Sequence, residues 1–232
     1  MRILRYALYF APPKDDALTV AATRWLGRDA FSNAVFPIDD AGEFSAGEIE
    51  GMIDDPRRYG FHATLKAPFE LAASVRENEL LDAMEDFAKA TRPFDIPKLV
   101  LGQLGPFFAL VPQKEEPQLQ AFAAATVKAF EPFRAALSPA DIARRKPEGL
   151  SETQREHLLR WGYPYVMDEF RFHMTLTGPV AADRQPAVLA LLEDRFAAFA
   201  DRPLPISGLA LFVEESRGAP FTVHTWLPLG AA

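Results

Sequence analysis

Cysteine does not occur anywhere in the 232 residues. Disulfides, a thiolate nucleophile and Cys-based zinc or iron–sulfur centres are therefore excluded, and the composition fits a reducing cytoplasm. No run reaches the ~18 apolar residues that a membrane span needs. The opening residues, MRILRYALYFAPPKDD, hold a short apolar stretch broken by Arg5 with no small-residue cleavage site after it, so they read as a strand and not as a signal peptide. Positive charge is also scarce: 25 Lys and Arg against 32 Asp and Glu leave a formal charge of −7, which argues against the basic face that long nucleic acids require. A cytoplasmic protein with no membrane or long nucleic-acid partner is expected, and a local basic pocket for a small anion stays compatible with this balance. With only four histidines and no thiol, near-neutral proton chemistry falls to those few imidazoles.

Hydrophobic residues make up 49% and charged residues 25% of the chain, the balance of a folded globular protein. The most informative feature is an internal repeat. Residues 58–69 (RYGFHATLKAPF) align without gaps on residues 169–180 (EFRFHMTLTGPV), sharing Phe-His-x-Thr-Leu-x-x-Pro. Arg92-Pro93-Phe94-Asp95-Ile96 begins 30 residues after His62, and Arg202-Pro203-Leu204-Pro205-Ile206 begins 29 residues after His173. Each copy then runs into an apolar stretch closed by proline, Phe108–Pro112 and Trp226–Pro228.

Both copies carry a helical pattern between these landmarks. In the first, Ser74 with Glu77 forms a capping-box signature ahead of Leu80, Met84 and Phe87. The second starts near Asp183, with Pro186 in the first turn and Leu189, Leu192, Phe196 and Phe199 on one face. Each repeat thus reads strand, helix, strand, strand. A first strand over Ile3–Phe10, a helix around Leu18–Leu26 and a helical insert from about Pro117 to Trp161 complete the pattern. The insert opens with Leu119, Phe122, Thr126 and Phe130 on one stripe, and Ser138-Pro139 and Ser151 with Gln154 mark two further helix starts. The expected fold is α+β: a bilobal pseudo-twofold duplication, with two mainly antiparallel sheets facing a central cleft and helices outside. It forms a single bilobal domain over 1–232, with the first repeat at about 58–112, the insert at about 117–161 and the second repeat at about 169–228.

Strand side chains alternate between faces, so His62 and Thr64 share one face against Phe61, Ala63 and Leu65, and His173 and Thr175 repeat the arrangement. Two such strands facing each other would line a cleft with two imidazoles and two hydroxyls. That set suits phosphoryl chemistry: one imidazole as base, one as acid, and hydroxyls donating to non-bridging oxygens. No Asp or Glu stands beside either histidine at ligand spacing, so no metal site and no cofactor is expected.

The paired H-x-T-L motifs resemble the 2H phosphoesterase superfamily, which includes RNA 2′,5′-ligase-like proteins and cyclic nucleotide phosphodiesterases. Arg5-Tyr6-Ala7 with Tyr9-Phe10, Trp25-Leu26-Gly27-Arg28-Asp29, Tyr59-Gly60-Phe61-His62-Ala63-Thr64-Leu65-Lys66 and Phe172-His173-Met174-Thr175-Leu176 resemble a branch of it encoded among phosphonate-utilisation genes. The resemblance implies a bilobal fold with both H-x-T pairs at the bottom of the cleft and catalysis by His62 and His173. The expected function is that of a metal-independent phosphodiesterase acting on a small phosphodiester, cyclic ones included, in phosphonate metabolism.

By period 2, Lys66 and Arg171 fall on the faces of their neighbouring histidines, where either can supply positive charge for phosphate or remain a solvated strand-end charge. Gly60 takes the position matching Arg171, so the lobes are electrostatically unequal. Tyr6 either flanks the cleft or belongs to the core. Arg144, Arg145 and Lys146 read as a solvated run, with a phosphate clamp as the sharper alternative. His157 and His224 lack the motif and read as surface or packing residues. The alternatives to an enzyme are a non-catalytic binder of a phosphorylated metabolite or RNA end and an accessory subunit of a phosphonate-processing assembly. A small phosphorylated substrate and a monomer, not an obligate oligomer, are the expected partner and state.

Overall fold

A computed structural model describes residues 4–230. Its chain order is β1 (Arg5–Phe10), α1 (Ala17–Leu26), α2 (Ala46–Tyr59), β2 (Ala63–Phe69), α3 (Glu77–Ala90), β3 (Phe94–Leu104), β4 (Phe107–Pro112), α4 (Pro117–Phe130), α5 (Pro139–Arg144), α6 (Glu152–Trp161), β5 (Met174–Thr175), α7 (Gln185–Phe196), β6 (Arg202–Ile206), β7 (Gly208–Glu214) and β8 (Phe221–Pro228). The class is α+β. The strands form one sheet in the order β6-β3-β4-β5-β2-β1-β7-β8, with every neighbouring pair antiparallel. The two expected sheets are joined at their centre, where Ala63 of β2 pairs with Met174 of β5. Among the described residues no helix is long and apolar enough to cross a membrane.

The sheet order reveals an exchange that the linear repeat does not show. β5, from the second copy, pairs with β4 of the first, whereas β2, from the first copy, reaches β7 and β8 of the second through β1. Each His-x-Thr strand is thus embedded in the half of the sheet built largely by the other copy.

One face of the sheet is covered by helices and holds the main core, including Tyr6, Leu8 and Phe10 of β1, Trp25 of α1, Ile53 of α2, Met84 of α3, Phe130 of α4 and Leu192 of α7. The other face carries a smaller cluster containing Ala7, Tyr9, Ala210, Phe212 and Phe221. Strand alternation explains the division: even residues of β1 enter the helix-covered core and odd ones underlie the opposite face.

One expected helix start changes and one helix is added. The first strand is described from Arg5; Ile3 lies outside the described residues. α3 begins at Glu77 with Arg76 as its N-cap, and the Glu79 carboxylate accepts the Arg76 N–H at 2.8 Å. The Ser74/Glu77 pair is therefore not the cap, because Ser74 lies in a turn closed by the Val75 N–H on the Ala72 carbonyl, Arg76 is extended, and the acidic group that reaches the cap is Glu79 in the first helical turn. α2 was not anticipated, although Ser45 and Glu48 form a reciprocal capping box at its start. Pro117, Ser138 and the Ser151/Gln154 box open α4, α5 and α6, at the starts expected for the insert.

Candidate active site

His62 and His173 line one cleft of about 580 Å³ with Thr64 and Thr175. Phe61, Ala63 and Leu65, and likewise Phe172, Met174 and Leu176, are buried on the opposite side. Their burial fixes each strand's rotation and leaves the His and Thr side chains half-buried in the cleft. α1 anchors the second motif from behind, since the Trp25 indole N–H donates to the Leu176 carbonyl at 2.8 Å.

The two imidazoles are held in the same way. His62 Nδ1 lies 2.8 Å from the Gly60 carbonyl and His173 Nδ1 lies 2.8 Å from the Arg171 carbonyl. A carbonyl only accepts, so each Nδ1 carries the hydrogen and each neutral ring presents an Nε2 lone pair. His62 Nε2 sits 3.3 Å from the Thr64 hydroxyl. Tyr9 stacks on His62, with centroids 3.9 Å apart. Burial pushes His62 down to about 4, and the charge of His173 adds to that effect. Burial also lowers His173.

The first motif needs glycine before its histidine. Gly60 has φ of +79°, and a Cβ there would lie 2.5 Å from the Ala30 Cβ, so the arginine found at the matching position of the second copy has no room. Arg28, buried beneath this turn, donates to the Arg57, Arg58 and Phe221 carbonyls at 2.7–2.9 Å, satisfying carbonyls at the α2 C-terminus. Desolvation lowers its guanidinium to about 10. This clamp sets the segment that presents Arg58, Tyr59 and His62 to the cleft.

Three of the predicted ligands lie elsewhere. Lys66 is only 2% exposed; its ammonium donates to Glu131 at 2.7 Å and to the Val127 carbonyl at 3.4 Å, under α4. The reason is a register shift. Tyr9 pairs with Thr64 but Leu8 pairs with Lys66, so an extra residue bulges out of β2, alternation breaks after Leu65, and Ala67 takes the cleft position. Arg171 precedes β5, where strand alternation does not yet apply, and its side chain is exposed in a separate hollow with Lys114, Gln120 and Phe170. Only its carbonyl serves the site. Tyr6 is in the helix-covered core, with its hydroxyl donating to Glu77, because it shares parity with Leu8 and Phe10.

The cleft instead gathers residues that spacing did not single out: Arg5, Tyr9, Arg58, Tyr59, Tyr163 and Arg217. Arg144 and Arg145 of the charge run also line it, whereas Lys146 is outside this lining. Glu214, fully buried, accepts from Arg5, from Arg58 at 2.6 Å and from the Gly218 N–H at 2.8 Å. Parity on β1 could have pointed to Arg5 and Tyr9; nothing local marks Glu214 or Arg217. His157 pairs with Asp168 at 3.3 Å and His224 with Glu77 at 3.2 Å, both outside the cleft lining. Among the described residues, no three His, Asp or Glu side chains converge as a metal-ligand set.

Residues 64–222 match the family described as "Protein of unknown function (DUF1045)". The chain belongs to this family. The match runs from the threonine of the first motif through the whole second motif and into β8, so the DUF1045 region contains most of the cleft. Two curated relatives are 36% identical, over 228 and 220 residues, covering 97% and 94% of this chain and 50% of each relative. Both are named "Ribose 1,5-bisphosphate phosphokinase PhnN", from Janthinobacterium sp. (strain Marseille) and Laribacter hongkongensis (strain HLHK9). The chain thus spans about half the length of the curated relatives it matches. A solved structure, E. coli LigT in apo form, is 14% identical, with both chains covered over 100% and a TM-score of 0.44.

Proposed function

We propose that this DUF1045 protein is a metal-independent phosphoesterase that cleaves a small phosphodiester, cyclic ones included, by acid–base catalysis between His62 and His173. The observation that carries the reading is the matched tethering of both rings through Nδ1, which directs two Nε2 atoms to substrate in one cleft. One Nε2 takes a proton from the attacking water or hydroxyl as the new P–O bond forms. The other ring's Nε2–H gives a proton to the leaving oxygen as the old P–O bond breaks. Thr64 and Thr175 donate to non-bridging oxygens, so charge building in the transition state meets fixed dipoles and an imidazolium.

The rings are unequal. His62 is stacked under Tyr9 and is lowered further by charge on His173, so His173 takes the first proton and is assigned the acid; His62 is the base. An arriving phosphate raises both values, supplying the proton near neutral pH.

The name of the curated relatives supports a sugar phosphate as part of the substrate, and the resemblance to a phosphonate-linked branch supports a role in phosphonate metabolism. Phosphokinase chemistry is not proposed for this chain, whose sequence contains no G-x-x-x-x-G-K-[ST] loop, the cradle in which P-loop kinases hold nucleotide phosphates.

The test is hydrolysis of adenosine 2′,3′-cyclic phosphate in EDTA by the wild type, His62→Ala and His173→Ala. Each substitution is expected to lower kcat by ~10²–10⁴-fold. Full activity in either variant overturns the reading, and tight binding without product marks a non-catalytic binder.

A further inference from the structure

His62 stands at the boundary between two unlike cavities, and His173 lines the first of them. The first, of about 580 Å³, is lined among the described residues by Arg5, Arg58, Arg144, Arg145 and Arg217 and by no carboxylate. The second, of about 470 Å³, shares Tyr59, His62, Tyr163 and Thr175 with it, but among the described residues its only charged side chain is Asp55, beside Pro56, Phe107 and Pro179. In a chain of net charge −7, such a concentration of guanidinium groups on one side of the reacting centre requires an explanation.

Ion pairing behind the wall does not cancel it. Glu214 serves both Arg5 and Arg58, Asp141 serves Arg144 and Arg217, and Glu70 also serves Arg217. Arg145 lies over the Tyr163 ring at 4.9 Å and has no carboxylate partner among the described residues. Among the described residues, these five guanidinium groups pair with three carboxylates, Glu214, Asp141 and Glu70, which leaves positive charge in excess along the wall. The scissile diester carries a single negative charge, which two threonine hydroxyls and a protonated His173 already meet. The excess therefore has another purpose.

We propose that the cleft takes a phosphodiester with two unlike arms. One arm bears a further phosphate or comparable dianion that settles among Arg5, Arg58, Arg145 and Arg217, and the other is an uncharged, hydroxyl-bearing arm that lies in the Asp55 compartment. The buried Glu214 holds Arg5 and Arg58 in place before binding, so little ordering remains when the dianion arrives. Asp55 repels a phosphate and accepts from hydroxyls, which makes the orientation one-way. The inference rests on the phosphoesterase reading for the diester held between the two arms, but the charge asymmetry stands independently of it.

The test compares adenosine 2′,3′-cyclic phosphate with its 5′-phosphorylated counterpart, in wild type, Arg145→Ala and Arg217→Ala. The 5′-phosphate is expected to raise kcat/KM by about tenfold or more, the worth of one charge-assisted hydrogen bond, and each substitution is expected to bring the ratio of the two probes towards one. Equal kcat/KM for the two probes in the wild type, or an unchanged ratio in both variants, overturns the proposal. If the wild type turns over neither probe, the phosphoesterase reading fails while calorimetry with the same pair still decides the arginine pocket. Tenfold tighter binding of the 5′-phosphorylated probe, lost in the variants, supports it; equal binding, or none, overturns it.

Discussion

Tyr9 lies nearly parallel to the His62 imidazole, with centroids 3.9 Å apart and 21° between the planes, so the proposed base, immediately before β2, is braced by β1. The tyrosine is buried, and its ring fills the space beneath the histidine alongside Phe212, 4.9 Å away. Tyr9→Ala should cost about 3–5 kcal/mol of stability by opening a cavity and should lower kcat by releasing the imidazole. Tyr9→Phe keeps the stack and should retain both within about 1.5 kcal/mol. Denaturant unfolding with kinetics checks this; equal effects of the two substitutions would show that the hydroxyl, not the stack, matters.

Both histidines have depressed values in the free protein, His62 to about 4 from an ordinary 6.5. A base must be neutral and an acid protonated, so kcat/KM rises with pH through the value of His62 and falls through that of His173. The profile should therefore peak on the acid side of 6.5, with its acid limb near 4. In His173→Ala the alkaline limb should vanish. A wild-type optimum above 7.5 would contradict the assigned roles.

The two threonines are expected to act through their hydroxyls alone. Thr64→Val and Thr175→Val keep the shape of each side chain, and each should lower kcat by about tenfold or more, since one hydrogen bond to a charged oxygen is lost. Thermal melting should show little change for Thr175, whose side chain lines the cleft and is half-buried.

Glu214 is a fully buried carboxylate shared by Arg5 and Arg58. Glu214→Gln leaves two guanidinium groups short of their counter-charge and should destabilise the fold by about 3 kcal/mol, the lower end for such pairs because both arginines keep some contact with water. A raised KM should accompany the lower denaturation midpoint. Unchanged stability would show that solvent replaces the carboxylate.

Lys66 belongs to the packing under α4 and not to the cleft. Lying under α4 with Glu131, it is expected to matter for folding and not for turnover: Lys66→Met should keep kcat/KM within about threefold, whereas Glu131→Gln strands a buried ammonium at a cost of about 3 kcal/mol. Loss of activity in a stably folded Lys66→Met would return the lysine to the substrate.

Much of this protein is written in local patterns. The duplicated Phe-His-x-Thr-Leu predicted which residues face the cleft, because alternation along a few strand residues is a local property and the apolar Phe61, Ala63 and Leu65 leave only one way for the strand to lie. Proline and serine at the starts of α4, α5 and α6 were legible for the same reason, since caps are satisfied within one turn. Tertiary structure alone decided the rest. Lys66 left the cleft because a bulge, visible only once β2 is paired with β1, reversed the alternation. The exchange of motif strands between the two halves depends on which strands pair, and the repeat looks the same on paper for either choice. The basic wall is assembled from Arg5, Arg58, Arg145 and Arg217, residues more than two hundred positions apart at the extremes, because the folded sheet brings them to one cleft and the buried Glu214 pairs with two of them, Arg5 and Arg58.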